Sequence, residues 1–232
     1  IITPISSGIP EDIGVIINAG DAGTAWSGDS YWRDDEVTDK IREWVYNGGG
    51  FIGVGEPTAY QYQGRYFQLS DILGVDREMG YTLSYTRHDK VYDGKHFILE
   101  DQEPEINFGE GIKYVYATQE STKILSMDKG DINLAVNEFG KGRAVYISGL
   151  PYTPENVRLL LRSIYFAASR EEEMFNWYTS NCNTECAAYL EAGNVAVINN
   201  SDKEQETELY KDKNNIIEKL TLKPYEIKWI SK

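Results

Sequence analysis

The sequence predicts an α/β domain built on a parallel sheet with flanking helices, followed by a small antiparallel β domain. Three observations carry that expectation. A strand–helix–strand succession opens the chain between residues 13 and 55. A helix with a strong start signal follows Thr153 and runs to about Ala168. Beyond the charged run Arg170-Glu171-Glu172-Glu173 the pattern changes to short alternating segments separated by turns. The expected domains are residues 1–172 and 173–232.

Each element has its own local reason. Residues 13–18 (IGVIIN) form a continuous apolar run bounded by Pro10 and Gly20, as a strand buried on both faces does. A loop rich in Gly, Asp and Ser follows, from Gly20 to Arg33. Asp34 is placed to cap a helix, and Asp35 and Glu36 are favourable in its first turn. Val37, Ile41, Trp44 and Val45 share one face at helical spacing. Gly48-Gly49-Gly50 stops that helix, and 51–55 (FIGVG) is the next buried strand. This order requires a right-handed βαβ unit with parallel strands.

Residues 66–75 read as a short helix ending at Gly74. Residues 80–87 and 112–118 alternate Tyr and aliphatic residues with polar ones, as strands do. Residues 132–139 and 143–148 are two strands joined by Gly140-Lys141-Gly142, a hairpin signal. Thr153-Pro154-Glu155 starts the helix just mentioned. Val157, Leu160, Leu161, Ile164, Tyr165 and Ala168 give it an apolar stripe, expected to pack on the sheet. After residue 173, strands are expected at 186–190, 194–199, 205–210, 216–221 and 225–230. Asp212-Lys213-Asn214-Asn215 makes a turn between two of them.

Composition narrows the function classes. The 232 residues carry a net charge of −14, which repels nucleic acid and anionic membranes and makes both unlikely partners. No apolar run reaches membrane-spanning length and no signal peptide is visible, so the cytoplasm is the expected compartment. The opening Ile1-Ile2-Thr3-Pro4 reads as a fragment of a longer protein. Asn199-Asn200-Ser201 matches a glycosylation sequon by chance in that setting. Cys182 and Cys186 are too few for a four-cysteine zinc site, and no His sits near them. Two ordinary thiols are expected, not a disulfide or half a metal site. His88 and His96 have no metal-type partner at helical spacing, so both are expected to be structural.

Other motifs fail on context. Gly48-Gly49-Gly50-Phe51-Ile52-Gly53 fits G-x-G-x-x-G, but it follows a helix and precedes a strand, the reverse of the dinucleotide arrangement. There is no Walker A run and no G-x-S-x-G nucleophile elbow.

The helix with a trailing Gly pair and then an apolar strand resembles the class I glutamine amidotransferase-like fold. That fold places a Cys on the turn after such a strand. Here the turn is Gly53-Val54-Gly55-Glu56-Pro57, with neither Cys nor Ser, so the resemblance implies the fold without its nucleophile. Longer runs carry a closer resemblance. They are Asn18 to Gly28 (NAGDAGTAWSG), Val45 to Pro57 (VYNGGGFIGVGEP), Arg65 to Asp76 (RYFQLSDILGVD) and Leu222 to Trp229 (LKPYEIKW). Together they resemble the galacto-N-biose/lacto-N-biose phosphorylases, 1,3-β-galactosyl-N-acetylhexosamine phosphorylases, and the related galactosyl-rhamnose phosphorylases.

The resemblance implies three parts in the full protein: an upstream (β/α)8-like barrel carrying the acid carboxylate, an amidotransferase-like domain, and a small β domain. It implies a glycosyltransferase that splits β-galactosyl-N-acetylhexosamine disaccharides with phosphate, with inversion, to α-galactose 1-phosphate. It implies no metal and no organic cofactor. An inverting phosphorylase needs one protonated carboxyl, because phosphate is the nucleophile. That acid belongs to the barrel, so no catalytic residue is expected on this chain, and the isolated chain is expected to be inactive. The expected partners are the barrel of the same polypeptide, the disaccharide and phosphate. The acceptor sugar (N-acetylglucosamine, N-acetylgalactosamine or rhamnose) stays open. The competing reading is a non-catalytic module for domain assembly, homo-oligomer contacts or carbohydrate binding, since Tyr and Trp also suit interfaces.

Ligand-facing loops of an open parallel sheet lie at the carboxyl ends of its strands. Asp21 and Trp26 fall in the loop after the first strand, and Glu56 after the second. Trp26 is placed to stack on galactose, and Asp21 and Glu56 to accept hydrogen bonds from sugar hydroxyls. Against this, Trp26 equally suits an interface, Asp21 a turn cap, and Glu56 a solvated loop.

Overall fold

The computed structural model describes residues 5–20, 29–78, 89–100, 102 and 105–231. The expected strand at 80–87 lies outside them. The chain divides into two compact units. The first comprises 1–99, 107–151 and 166–169, and the second 100–106, 152–165 and 170–232.

The first unit is built on a five-stranded sheet. Its strands are β1 (Val15–Gly20), β2 (Gly50–Gly55), β7 (Lys123–Asp128), β8 (Asp131–Phe139) and β9 (Gly142–Ile147), in the order β1-β2-β9-β8-β7. Strands β1, β2 and β9 are parallel, while β8 runs antiparallel to both β9 and β7. The sheet is therefore mixed, not parallel throughout. The reason is the hairpin at Gly140-Lys141-Gly142: a two-residue connection reverses the chain, and only a crossover would keep strands parallel. Gly140 sits at φ 62°, where an L side chain is strained.

Helix α1 (Asp35–Tyr46) joins β1 to β2 as expected. The Asp34 carboxylate accepts from the Glu36 amide at 2.9 Å, an N-cap. Ile41 and Val45 are fully buried and pack with Phe51, Phe67, Leu73 and Tyr146. Strand β1 departs from expectation. It lies at the sheet edge with one neighbour, and Ile17 is 43% exposed.

Residues 66–75 are only partly helical. Arg65–Phe67 is strand β4, paired with β3 (Ala59–Tyr62); helix α2 is the single turn Ser70–Leu73. Gly74 closes it at φ 72°, a left-handed cap. The Gln68 side chain explains the hairpin, because its amide donates to the carbonyls of Tyr60 and Tyr62. Strand β5 (Val75–Arg77) then pairs with β6 (Val115–Ala117).

The second unit carries two antiparallel sheets. One orders β10 (Tyr178–Thr179), β13 (Gln205–Asp212) and β14 (Asn215–Leu222); the other orders β11 (Thr184–Tyr189), β12 (Asn194–Asn199) and β15 (Ile227–Ser231). Val195, Val197, Leu209, Leu220 and Leu222 form its core. Helix α3 (Pro154–Ala167) starts as expected, with the Thr153 hydroxyl accepting from the Asn156 amide at 3.2 Å. Its buried face was not foreseen. Asn156, Leu159, Arg162, Ser163 and Phe166 are buried, whereas the apolar stripe is largely half-buried and Leu161 is 39% exposed.

Cys182 and Cys186 are free thiols. The Cys186 thiol donates to the Trp177 carbonyl, and burial pushes it up to about 11. Serine keeps both the size and the donor. Changing both cysteines to Ser is expected to move the melting temperature by no more than about 3 °C, the shift of a lesion of about 1 kcal/mol in a chain this long. Calorimetry checks this, and loss of cooperative unfolding would give the pair a structural role. No helix among the described residues is long and apolar enough to cross a membrane.

Candidate functional site at the carboxyl edge of the parallel strands

Strands β1, β2 and β9 run parallel and end on one side of the sheet, where the turn after β2 carries several buried polar groups. At the end of β2, Gly55 takes φ 73° and turns the chain. Its carbonyl accepts from the Tyr146 hydroxyl at 3.3 Å. The Glu56 amide donates to the Gly20 carbonyl at the end of β1, at 2.9 Å. Pro57 folds back over the strand. A Cβ on Gly53 would lie 2.6 Å from the Pro57 ring, so glycine at 53 is what permits the turn.

Thr58 follows at φ 54°, fully buried. A β-branched residue there is an outlier costing about 1–3 kcal/mol. Three hydrogen bonds hold it. Its amide donates to Asn18 Oδ1 at 2.7 Å, its carbonyl accepts from the Gln68 amide, and its hydroxyl accepts from the Leu69 amide.

Glu56 is 1% exposed, so it is not a solvated loop residue. Its carboxylate is ion-paired with Arg77, whose side chain is 22% exposed. Beyond Arg77, no donor among the described residues hydrogen-bonds either carboxylate oxygen. Desolvation lowers the Arg77 guanidinium from its ordinary value, and the guanidinium also lies 5.5 Å from the Tyr66 ring centre. Asp76 fixes the backbone that carries Arg77. One of its oxygens accepts from the Phe67 and Arg77 amides at 2.8 and 2.7 Å, and from Tyr66 at 3.2 Å. Burial still pushes the Asp76 carboxyl above the usual carboxylate range. Burial also raises the Tyr146 phenol far beyond physiological pH, so it stays neutral.

This arrangement offers a buried charge pair, a neutral phenol donor and a braced turn. Among the described residues it has no nucleophile with an adjacent base. No group of three or more metal-type ligands occurs among the described residues. His96 is packed edge-on to Phe166 and accepts from the Ile98 amide, a structural setting. His88, Asp21 and Trp26 lie outside the described residues. Of the three residues expected at substrate, only Glu56 is therefore placed.

Two family models cover nearly the whole chain in succession. Residues 4–172 match the lacto-N-biose phosphorylase central domain, and residues 177–230 match the lacto-N-biose phosphorylase C-terminal domain. The chain belongs to the lacto-N-biose phosphorylase family. A 1,3-β-galactosyl-N-acetylhexosamine phosphorylase of Lachnoclostridium phytofermentans is 45% identical over 221 residues, covering 95% of this chain and 30% of that protein. One from Bifidobacterium longum subsp. longum is 37% identical, covering 88% and 31%. A D-galactosyl-β-1→4-L-rhamnose phosphorylase of L. phytofermentans is 33% identical, covering 88% and 27%. The chain thus spans about 30% of the length of the curated relatives it matches.

The lacto-N-biose phosphorylase central-domain match contains the whole Glu56 cluster. Sequence reasoning singled out Glu56 but not Arg77, Asp76 or Tyr146. The Asp76-Arg77 pair was visible as charge directly after an apolar segment. Only the folded chain brings Arg77 against the Glu56 carboxylate. Nothing in the pattern of β9 marks Tyr146 off from a core aromatic.

Proposed function

We propose that this chain is the central and C-terminal part of an inverting phosphorylase that splits β-galactosyl-N-acetylhexosamine disaccharides with phosphate. The observation that carries this reading is the succession of two domain matches over residues 4–172 and 177–230. It is joined by relatives named for that activity at 37–45% identity. In the proposed reaction a phosphate oxygen attacks the anomeric carbon while a carboxyl protonates the departing glycosidic oxygen. The products are α-galactose 1-phosphate and the free acceptor sugar. The acid is assigned to a barrel upstream, in the same cytoplasmic polypeptide.

In this reading residues 1–172 are an amidotransferase-like α/β domain without a nucleophile, and 173–232 a small β domain. The carboxyl edge of β1 and β2 is the substrate side. Asp21, Trp26 and Glu56 are its candidate sugar contacts, with Arg77 holding the Glu56 charge in place. The absence of Cys or Ser on the Gly55-Glu56-Pro57 turn supports a positioning role over a hydrolytic one.

The test compares two proteins. The full-length enzyme, incubated with galacto-N-biose or lacto-N-biose and phosphate, is expected to release α-galactose 1-phosphate. The 232-residue chain alone is expected to release none. Turnover by the chain at a rate near the full-length enzyme would move the acid onto it. No phosphorolysis by the full-length protein with either disaccharide would sink the assignment.

A further inference from the structure

The second unit has a half-open cavity of about 330 Å³, within the size range of small-molecule sites. Val157, Leu161 and Tyr165, one helical turn apart, form one wall of it, where the sequence pattern predicted sheet packing. Trp177 and Tyr178 line it as well.

The lining is fixed in advance. Trp177 is held at φ 62°, and its carbonyl accepts the Cys186 thiol. Tyr178 stacks on Tyr210 at 4.7 Å. Arg158, 6% exposed, donates to the carbonyls of Thr179 and Asn181 at 3.1 and 3.3 Å. The Thr179 hydroxyl closes the same turn by donating to the Thr184 carbonyl at 2.6 Å. A preformed wall spares a ligand the cost of ordering it.

The charges select the ligand class. Arg158 and Glu185 bring opposite charges to the lining, so neither a cation nor an anion meets a net counter-charge there. Aromatic side chains beside polar groups suit a ring with one apolar C–H face and a rim of hydroxyls. We infer that this cavity binds a neutral pyranose, as a site separate from the carboxyl edge of the parallel strands.

The experiment titrates the 232-residue chain with galactose, N-acetylglucosamine and N-acetylgalactosamine, read by saturation-transfer NMR and by the rate of Cys182 alkylation. Cys182 lines the cavity, so an occupant slows its reaction. A ring of about twelve non-hydrogen atoms is expected to bind with a Kd on the order of 1 mM. Leu161→Trp, which fills the cavity from an exposed position, is expected to weaken binding at least about tenfold while the circular dichroism stays native. Glu185→Gln is the milder companion variant, expected to weaken binding about threefold. No saturable signal up to about 50 mM overturns the inference. So does binding that survives Leu161→Trp but is lost in Asp21→Ala or Trp26→Ala, because the sugar is then held by those residues and not by the cavity. That second result would leave the proposed phosphorylase reading intact.

Discussion

Replacing Glu56 by Gln lowers the free energy of unfolding by about 3 kcal/mol, the low end for breaking a buried ion pair. The substitution keeps the shape but strands the Arg77 guanidinium, three-quarters buried, without its counter-charge. Partial exposure of Arg77 lets water compensate in part, which is why the low end applies. The double variant Glu56→Gln with Arg77→Met removes both charges and is expected to recover about 2 kcal/mol, the coupling typical of contacting partners. Urea denaturation of the wild type, each single variant and the double variant measures this. An unchanged single variant would mean the pair contributes nothing to the fold. The same change also tests the proposed sugar contact in the full-length enzyme. Charge-assisted hydrogen bonds to substrate are worth about 1.5–3 kcal/mol. If they form in the transition state, kcat/KM falls by about one to two powers of ten at a temperature where both proteins stay folded. Native kcat/KM per folded molecule would confine Glu56 to a structural role.

Gly142→Ala is expected to cost about 3 kcal/mol or more, the upper range for overpacking. A Cβ built there lies 2.1 Å from the Val45 carbonyl oxygen and 2.4 Å from that of Gly49. Both are backbone atoms at the end of α1, so no flexible side chain can give way. The helix end would have to lift from the sheet, opening the packing of Val45 against Phe51 and Tyr146. The melting temperature should fall by roughly 6–12 °C for a chain this long. Lys141→Ala, in the adjacent exposed turn position, is the control and should leave it unchanged. A Gly142→Ala protein as stable as the control would show that the strand start tolerates a shift.

Local chemistry made much of this fold legible. Asp34 capped its helix, the Gly140-Lys141-Gly142 hairpin formed, and the strands of the second unit fell where alternation placed them. The misses come from pairing and packing that helical or apolar spacing does not encode. Residues 66–67 became a strand because they pair in a short hairpin with 59–62 that the Gln68 side chain braces, which outweighs their helical spacing. Strand β1 looked buried because a continuous apolar run says nothing about how many neighbours it will have. Helix α3 presented an apolar stripe, yet its buried face includes Arg158 and Arg162, whose partners lie outside the helix. At the candidate site, Glu56 stood out by its Gly and Pro neighbours. Arg77 did not, because the contact between them depends on a turn, a hairpin and a third strand together.

The sheet order has a consequence for synthesis. Strand β2 is the centre of the parallel trio, flanked by β1 on one side and β9 on the other. Its first neighbour precedes it in the chain, but Arg143, which lies beside Gly50, is far downstream. About 90 residues must be translated between them, roughly 5–20 s at usual ribosomal rates. Through that interval the edge of Phe51 and Ile52 is an unpaired template for any passing strand. A nascent chain halted before residue 140 is therefore the form in which this protein most needs a chaperone.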